Sequence, residues 1–323
     1  MKKALIIIPI LLILLLPACK KDKLLITPAY QLDSIAVSEL DQDLANPVHL
    51  YTYTTGANSI ADFINAQTFG GQWYQYQASA NGYTVTHSQQ PCDWPDRDTL
   101  YLYRYNITPG HFDSLTWWAE QGCFGQDGKW YGKQNFYYNS PGSIDKIKDG
   151  YYQYYLSDGW HLRWDGVYTF NYSADKLSSI NLHANSYSDV IYDSILFQLD
   201  VSDIISYPNN YPNQTDLIGF DPNDIVLSYF QDDYWNAPLH IINQSASLHT
   251  QSASLIENIH FPAVPYDYVV RNRYHNRTEA YDLVIQYEFD TAHDNRISSM
   301  TIFTADPHRD FFTPASYTFY YRD

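Results

Sequence analysis

The chain predicts an all-β fold, an antiparallel meander of short β-hairpin repeats forming an elongated or curved sheet, and three observations carry that expectation. The composition is dominated by strand formers, with 32 Tyr, 15 Phe and 8 Trp against 2 Met, and aromatic and β-branched side chains fit a pleated, half-buried surface. The dipeptides Asn81-Gly82, Asp127-Gly128, Asp149-Gly150, Asp158-Gly159 and Asp165-Gly166 punctuate the aromatic runs, and two-residue hairpin turns need the positive φ that Asn, Asp and Gly supply. Finally, an aromatic pair at i, i+2 recurs along the chain, each time followed by a turn and two apolar residues three apart.

Taken from the start, Lys2 and Lys3 precede an apolar run, Ala4–Leu16, broken by Pro9 and closed by Leu16-Pro17-Ala18-Cys19. This is the order of a secretory signal: charge, apolar core, small residue at the cut. The run is too short to span a bilayer, which takes roughly 20 residues. With Leu16 at −3, Ala18 at −1 and Cys19 at +1, it resembles a bacterial lipoprotein box. The resemblance implies cleavage before Cys19 and lipid attachment there, with residues 1–18 as signal peptide and 19–40 as a lipid-anchored tether. Lys20 rather than Asp after the cysteine points to the outer membrane, and Cys19-Lys20-Lys21-Asp22-Lys23 is similar to lipoprotein starts of Bacteroides-type bacteria. One acid, Asp22, leaves open whether the protein sits on the cell surface or the periplasmic face.

Removal of the signal leaves 17 basic and 36 acidic side chains, a formal charge of −19. Such a charge disfavours nucleic acid and anionic headgroups as partners and favours solubility by self-repulsion. Cys92 and Cys123 remain; outside the cytoplasm an even pair usually oxidises, with two buried free thiols as the alternative.

Residues 41–323 read as one repeat domain. The last three Asp-Gly dipeptides are close enough together to leave room only for strands of about five to seven residues, making 144–172 an up-and-down meander. Helical periodicity is scarce, and Ser34–Leu44 is its best candidate. The recurring pattern runs Tyr51/Tyr53 with Ile60/Phe63, Tyr103/Tyr105 with Phe112/Leu115, Phe136/Tyr138 with Ile144/Ile147, Phe170/Tyr172 with Leu177/Ile180, and Tyr287/Phe289 with Ile297/Met300. Two rings at i, i+2 share a strand face; apolar residues three apart share one only if a bulge or turn intervenes. The pattern resembles the tyrosine-aspartate repeats of RHS-type surface proteins and related lipoprotein repeats. Asp290 matches the motif's acid, and Lys176-Leu177 and Arg296-Ile297 match its basic-apolar step. Such repeats bury each hairpin's face against the next. The stretch at about 184–283 breaks the rhythm with a Pro/Asn loop, Ser206–Asp224, and a duplicated Gln-Ser-Ala-Ser-Leu at 244–248 and 251–255; it reads as an insertion or as decayed repeats.

Catalytic patterns are scarce: there is no HExxH, Gly-x-Ser-x-Gly or phosphate loop. The acid groups Asp93/Asp96/Asp98, Asp221/Asp224 and Asp232/Asp233 lack metal-loop spacing and read as solvated turns. No cofactor, metal site or catalytic residue is expected. The aromatics are the stronger lead. A two-residue turn at Asp158-Gly159 sets Ser157 opposite Trp160 and Tyr155 opposite Leu162, on a buried side with Trp164. The solvated side then carries Tyr152, Tyr154, His161 and Arg163. Rings with polar neighbours suit sugar faces, and Trp117-Trp118, Trp130 and Tyr234-Trp235 extend the candidates. The readings rank as a non-catalytic module binding glycan or protein, a purely structural scaffold with internal aromatics, and last a glycan-active hydrolase. The binding reading requires several Tyr and Trp on one continuous exposed face.

Overall fold

The structure, a computed structural model, describes residues 31–39, 48–55, 61–64, 73–79, 82–89, 99–108, 110–121, 128–139, 142–155, 159–188, 194–218, 221–228, 246–247, 250, 252–264, 279–304 and 315–322. Cys19, Cys92, Cys123 and Tyr234-Trp235 lie outside them.

The strands are β1 (Gln31–Glu39), β2 (Val48–Thr55), β3 (Ala61–Ile64), β4 (Trp73–Ser79), β5 (Gly82–Gln89), β6 (Thr99–Thr108), β7 (Gly110–Gln121), β8 (Gly128–Tyr138), β9 (Ile144–Tyr155), β10 (Gly159–Ser173), β11 (Lys176–Tyr187), β12 (Ile195–Ser206), β13 (Ala246–Ser247), β14 (Asn258–Phe261), β15 (Tyr281–Asp290), β16 (Arg296–Thr304) and β17 (Ala315–Arg322). Two short helices, α1 (Thr215–Ile218) and α2 (Pro222–Ser228), precede β13. Pairing is antiparallel from β4 to β12, passes to β14, and continues through β17. There β17 pairs with β1, β1 with β2 and β2 with β3. The meander therefore curls until its last strand meets its first. Between β3 and β4 no ladder is formed among the described residues, although Cα atoms of the two strands approach within 8 Å. The sheet is a curved wall with one unlaced seam.

The predicted bulges are present and explain the three-residue apolar spacing. In β10–β11, Tyr172 pairs with Leu177 but Asn171 with Ser179, so Ser178 is extra and Leu177 and Ile180 share the inner face. The Ser178 hydroxyl donates to the Asn171 carbonyl at 3.0 Å. Asp145 and Ser298 are the extra residues in β8–β9 and β15–β16. In β6–β7 the extra residue is Asp113, and Leu115 faces Tyr105 while Phe112 faces Ile107. Tyr53 pairs with Phe63 in β2–β3, and Ile60 lies outside the described residues.

Tyrosine hydroxyls bond the main chain of neighbouring segments at five places. The Tyr172 hydroxyl donates to the Ile144 carbonyl at 2.9 Å, Tyr207 to Leu177 at 2.7 Å and Tyr321 to Ile297 at 2.7 Å. Tyr287 reaches the Ile256 carbonyl at 2.7 Å, and the Phe112 amide donates to the Tyr138 hydroxyl at 3.2 Å. The partners are 24 to 31 residues apart, about one repeat. Asp290 bonds the Ala292 amide and His293 and lies 3.7 Å from Arg296. The His293 bond holds its carboxyl below the usual range.

Several expectations are corrected. Residues 31–39, placed in the tether and partly in the helical candidate, are β1. Asp149-Gly150 and Asp165-Gly166 are not turns: they lie mid-strand and face each other across β9–β10. β9 and β10 are accordingly 12 and 15 residues long. The stretch at 184–283 is regular in part, since it completes β11 and contains β12, β14 and the start of β15.

Its irregular part lies against the inner face of the sheet. Every residue of Asp221–Leu227 is buried. Asp221 caps α2 by accepting the Asn223 amide at 2.9 Å, with Pro222 in the first helical position. Asn213 and Thr250 also donate to Asp221. Ile225, Val226 and Leu227 join one apolar cluster with Leu177, Leu283, Met300 and Phe319 of the wall. The buried Glu257 carboxylate accepts the Asn209 and Asn210 amides and the Asn209 side-chain amide, pinning the Pro/Asn loop. Asp221 and Asp224 are thus interior residues rather than solvated turns.

Candidate functional site

The outer face of the wall is polar where its residues are described. Directly opposed pairs bond one another across it: Asn171 with Ser179 at 3.2 Å, Asn181 with Ser202 at 2.7 Å, Asn185 with Gln198 at 3.2 Å, His183 with Asp200 at 2.6 Å, His260 with Asp282 at 3.0 Å and Glu288 with Ser299 at 2.9 Å. Such pairs are the unit of sheet-surface stabilisation. The opposite faces of the same strands bury Ile180, Leu182, Leu199, Val201, Ile285 and Met300.

One region of the outer face differs. The connection between β9 and β10 is three residues, 156–158, so Trp160 lies opposite Tyr154 and Leu162 opposite Tyr152. The added residue exchanges the faces expected from a two-residue turn, because side chains alternate with period two. Tyr152 and Tyr154 therefore stand outside, as expected, but in company with Trp160 and Leu162. His161 and Tyr155 fall on the other face, their rings 5.8 Å apart. Arg163 is the extra residue between Leu162 and Trp164, and atoms of both His161 and Arg163 are shielded from solvent. His161 and Arg163 are removed from the candidate surface.

Tyr131 pairs with Tyr152 on one side and Trp118 on the other, which completes a continuous outer cluster. Ring centroids lie 4.6 Å apart for Trp118–Tyr131, 5.9 Å for Trp118–Trp160, 6.1 Å for Tyr131–Tyr152 and 5.4 Å for Tyr154–Trp160. Trp118 and Trp160 remain 47% and 42% exposed. Five rings thus share one exposed face. Trp117 and Trp130 point the other way, Trp117 into the core and Trp130 packed against it. A Trp-Trp pair in a strand must place one ring on each side.

Beside the rings is a groove of about 590 Å³ lined by Trp118, Tyr131, Tyr152 and Trp160 and by Lys133, Asn135, Lys148, Asp149 and Asp165 around Gly150. Gly150 is its floor, paired with Lys133 on one side and Asp165 on the other. A methyl group added there would meet only the Trp164 carbonyl, at an ordinary 3.5 Å. Gly132 and Gly166, on the inner face nearby, are filled instead: added carbons would lie 2.0 Å from the Trp117 indole and 2.8 Å from that of Trp164. A strand glycine marks close approach of something to the backbone. For two of the three the visitor is tryptophan; over Gly150 the space opens to solvent. Sequence reasoning missed Tyr131, Trp160, Lys133, Lys148 and Gly150, all of which depend on the register of the 156–158 turn or on Asp149-Gly150 being mid-strand.

Among the described residues no group of three His, Cys, Asp or Glu converges to hold a metal ion. The architecture is a curved, antiparallel all-β meander that is not closed. Among solved structures, a porin-like protein from Bacteroides vulgatus has a similar fold, with a TM-score of 0.53 and 9% identity over 91% of this chain and 99% of that one. A porin-like protein from Bacteroides uniformis aligns over 90% of this chain and 98% of its own, with a TM-score of 0.41 and 13% identity. No protein-family model matches the chain, and no curated protein matches it in sequence.

Proposed function

We propose that this protein is a lipid-anchored, non-catalytic glycan-binding module of the bacterial outer membrane, which presents the Trp118–Tyr131–Tyr152–Tyr154–Trp160 face to saccharide. The observation that carries the reading is five adjacent rings on a solvent-facing sheet beside a groove bordered by Lys, Asn and Asp. Flat rings with polar tips stack on the apolar faces of sugars while the neighbouring amide and charged groups bond hydroxyls. The anchor is Cys19, within its signal-like N-terminus. The twelve residues from Cys19 to Gln31 reach at most about 40 Å, and Gln31 lies at the rim of the short turns, since it pairs with Arg322. The rings lie toward the opposite rim of the wall from Gln31, which leaves them clear of the tether's point of attachment.

The porin-like description of the neighbours is not transferred as a pore function. A membrane-spanning barrel turns an apolar band outward; here the inner face is apolar, and the described outer face carries bonded polar pairs and lysines among a minority of exposed apolar side chains.

The test is a glycan array probed with residues 19–323 carrying Cys19→Ser, followed by titration of Trp118→Ala and Trp160→Ala. Each variant is expected to bind its glycan roughly tenfold more weakly, the loss of about 1.4 kcal/mol for one stacked ring, with an unchanged circular dichroism spectrum. Absence of any glycan ligand, or binding by both variants as tight as that of the parent, overturns the reading. For the anchor, palmitate labelling should be present in the native chain and absent from Cys19→Ser.

A further inference from the structure

On the reading of the groove as a glycan platform, we propose that its ligand is an anionic polysaccharide, whose carboxylate or sulfate groups sit at Lys133 and Lys148 while the adjoining sugar stacks on Tyr131, Tyr152 and Trp160.

The chain carries a net charge of −17, yet its few lysines are not scattered. Beyond Lys23 there are five, and four of them, Lys129, Lys133, Lys146 and Lys148, belong to the β8–β9 hairpin. Strand alternation puts all four on its outer face: Lys129 is paired with Tyr154, Lys133 with Gly150, Lys148 with Asn135 and Lys146 with Tyr137. Solubility does not require this concentration, because the outer faces of β11, β12 and β15 are served by Asn, Ser, His, Asp and Glu. Lys133 and Lys148 line the groove itself, and Lys146 and Lys148 continue the strip over the exposed Tyr137 ring, at 6.0 and 5.6 Å from its centroid.

The strip adjoins the five rings and the open floor over Gly150, so a pyranose on the rings can carry an acidic substituent to an ammonium. Charge-assisted bonds to carboxylate or sulfate are stronger than bonds between neutral groups. Asp165, across Gly150 from Lys133, leaves a hydroxyl-accepting edge and gives the groove polarity. The chain's net negative charge opposes a polyanion in general, so the lysine strip is where such a ligand is favoured.

The experiment titrates residues 19–323 carrying Cys19→Ser with polygalacturonate, dextran sulfate and neutral dextran of matched length at two salt concentrations. It is repeated with Lys133→Gln/Lys148→Gln and with Gly150→Leu. At least one acidic polymer is expected to bind tenfold or more tighter than dextran, with affinity falling as salt rises. Which of the two does so separates carboxylate from sulfate recognition. The double lysine variant should lose that preference and its salt dependence, and Gly150→Leu should weaken binding of every polymer that the parent binds. If neutral polymer binds as well as the acidic ones, or the lysine variant retains the preference, this proposal is overturned and the platform stands. Salt-sensitive binding unaffected by Gly150→Leu also overturns it, as attraction outside the groove. If no saccharide binds at all, the platform reading fails with it.

Discussion

The Tyr172 hydroxyl donates to the Ile144 carbonyl in the partly buried rim of the wall, and similar bonds recur at Tyr207, Tyr287 and Tyr321. Tyr172→Phe deletes the donor and leaves that carbonyl underbonded, so urea denaturation should show a loss of about 1 kcal/mol. Tyr321→Phe should cost about as much, and the two losses should add, because the sites share no partner. Glycine provides a sharper contrast at the same scale. Gly132→Ala drives a methyl group into the Trp117 indole and should cost about 1–3 kcal/mol by overpacking. Gly150→Ala has room and should be neutral or stabilising by about 0.5 kcal/mol; equal denaturation midpoints for the two would show that the indole is not where it is described. These glycines also mark what the sequence hides. An Asp-Gly dipeptide has the same letters whether glycine supplies positive φ in a turn, as at Gly159 with φ 90, or empties space in a strand, as at Gly150 and Gly166. Only the neighbouring tryptophans distinguish the two cases, and they come from other parts of the ladder.

At the scale of the element, the three-residue apolar spacing was legible because a bulge has a fixed signature: one extra residue returns a side chain to the inner face. Ser178, Asp145 and Ser298 occupy that place. That Trp160 rather than His161 joins Tyr152 outside was not legible, since one added residue between β9 and β10 changes which side chains of β10 share a face with Tyr152. Helix α2 was missed because seven residues buried on every side show no amphipathic period. Its Asp221-Pro222 start was the available signal. The bonded tyrosines give these hairpins a common response to alkali. Burial pushes the Tyr207 phenol up to about 12 and holds Tyr287 well above its ordinary value. Tyr138, Tyr172 and Tyr321 are raised in the same direction and chiefly for the same reason. The sign follows from linkage: a phenol with a raised folded pKa stays protonated in the fold after the unfolded chain has begun to ionise near pH 10. Stability is therefore intact below about pH 10 and is lost between there and about pH 12, the folded value of Tyr207. Phenolate absorbance and circular dichroism, followed together, should show these tyrosines ionising as the sheet unfolds. Full ionisation with the sheet intact would contradict their burial.

For the whole molecule, the decisive feature is which side of the curved wall is apolar. The wall shares its antiparallel course with membrane barrels, and its first and last strands are laced together. Among the described residues the apolar core lies on its inner face and most of the outer face is polar. Inside, Leu32, Ile35, Leu177, Ile297 and Met300 are fully buried and close on Ile225 and Val226 of α2. Outside, the paired Asn, Ser, His, Asp and Glu side chains would have to enter hydrocarbon if the wall spanned a bilayer. A charged side chain on a barrel's lipid face costs about 2–4 kcal/mol at the midplane for Arg or Lys, and less for Asp or Glu. Lys133, Lys148, Asp165, Asp200 and Glu288 all stand on that face, a cost set against exposed Trp118, Tyr137, Trp160, Ile195, Ile204 and Tyr320. The interior offers no compensation, because an apolar cluster occupies the space that a water-filled lumen would need. Residues 19–323 carrying Cys19→Ser should therefore stay in solution without detergent, remain unbound to phospholipid vesicles on flotation, and give no conductance steps in a planar bilayer. Flotation should appear only when Cys19 is present and lipidated. Discrete conductance from the unlipidated chain would mean that the outer face meets lipid, and the assignment of inside and outside would have to be reversed.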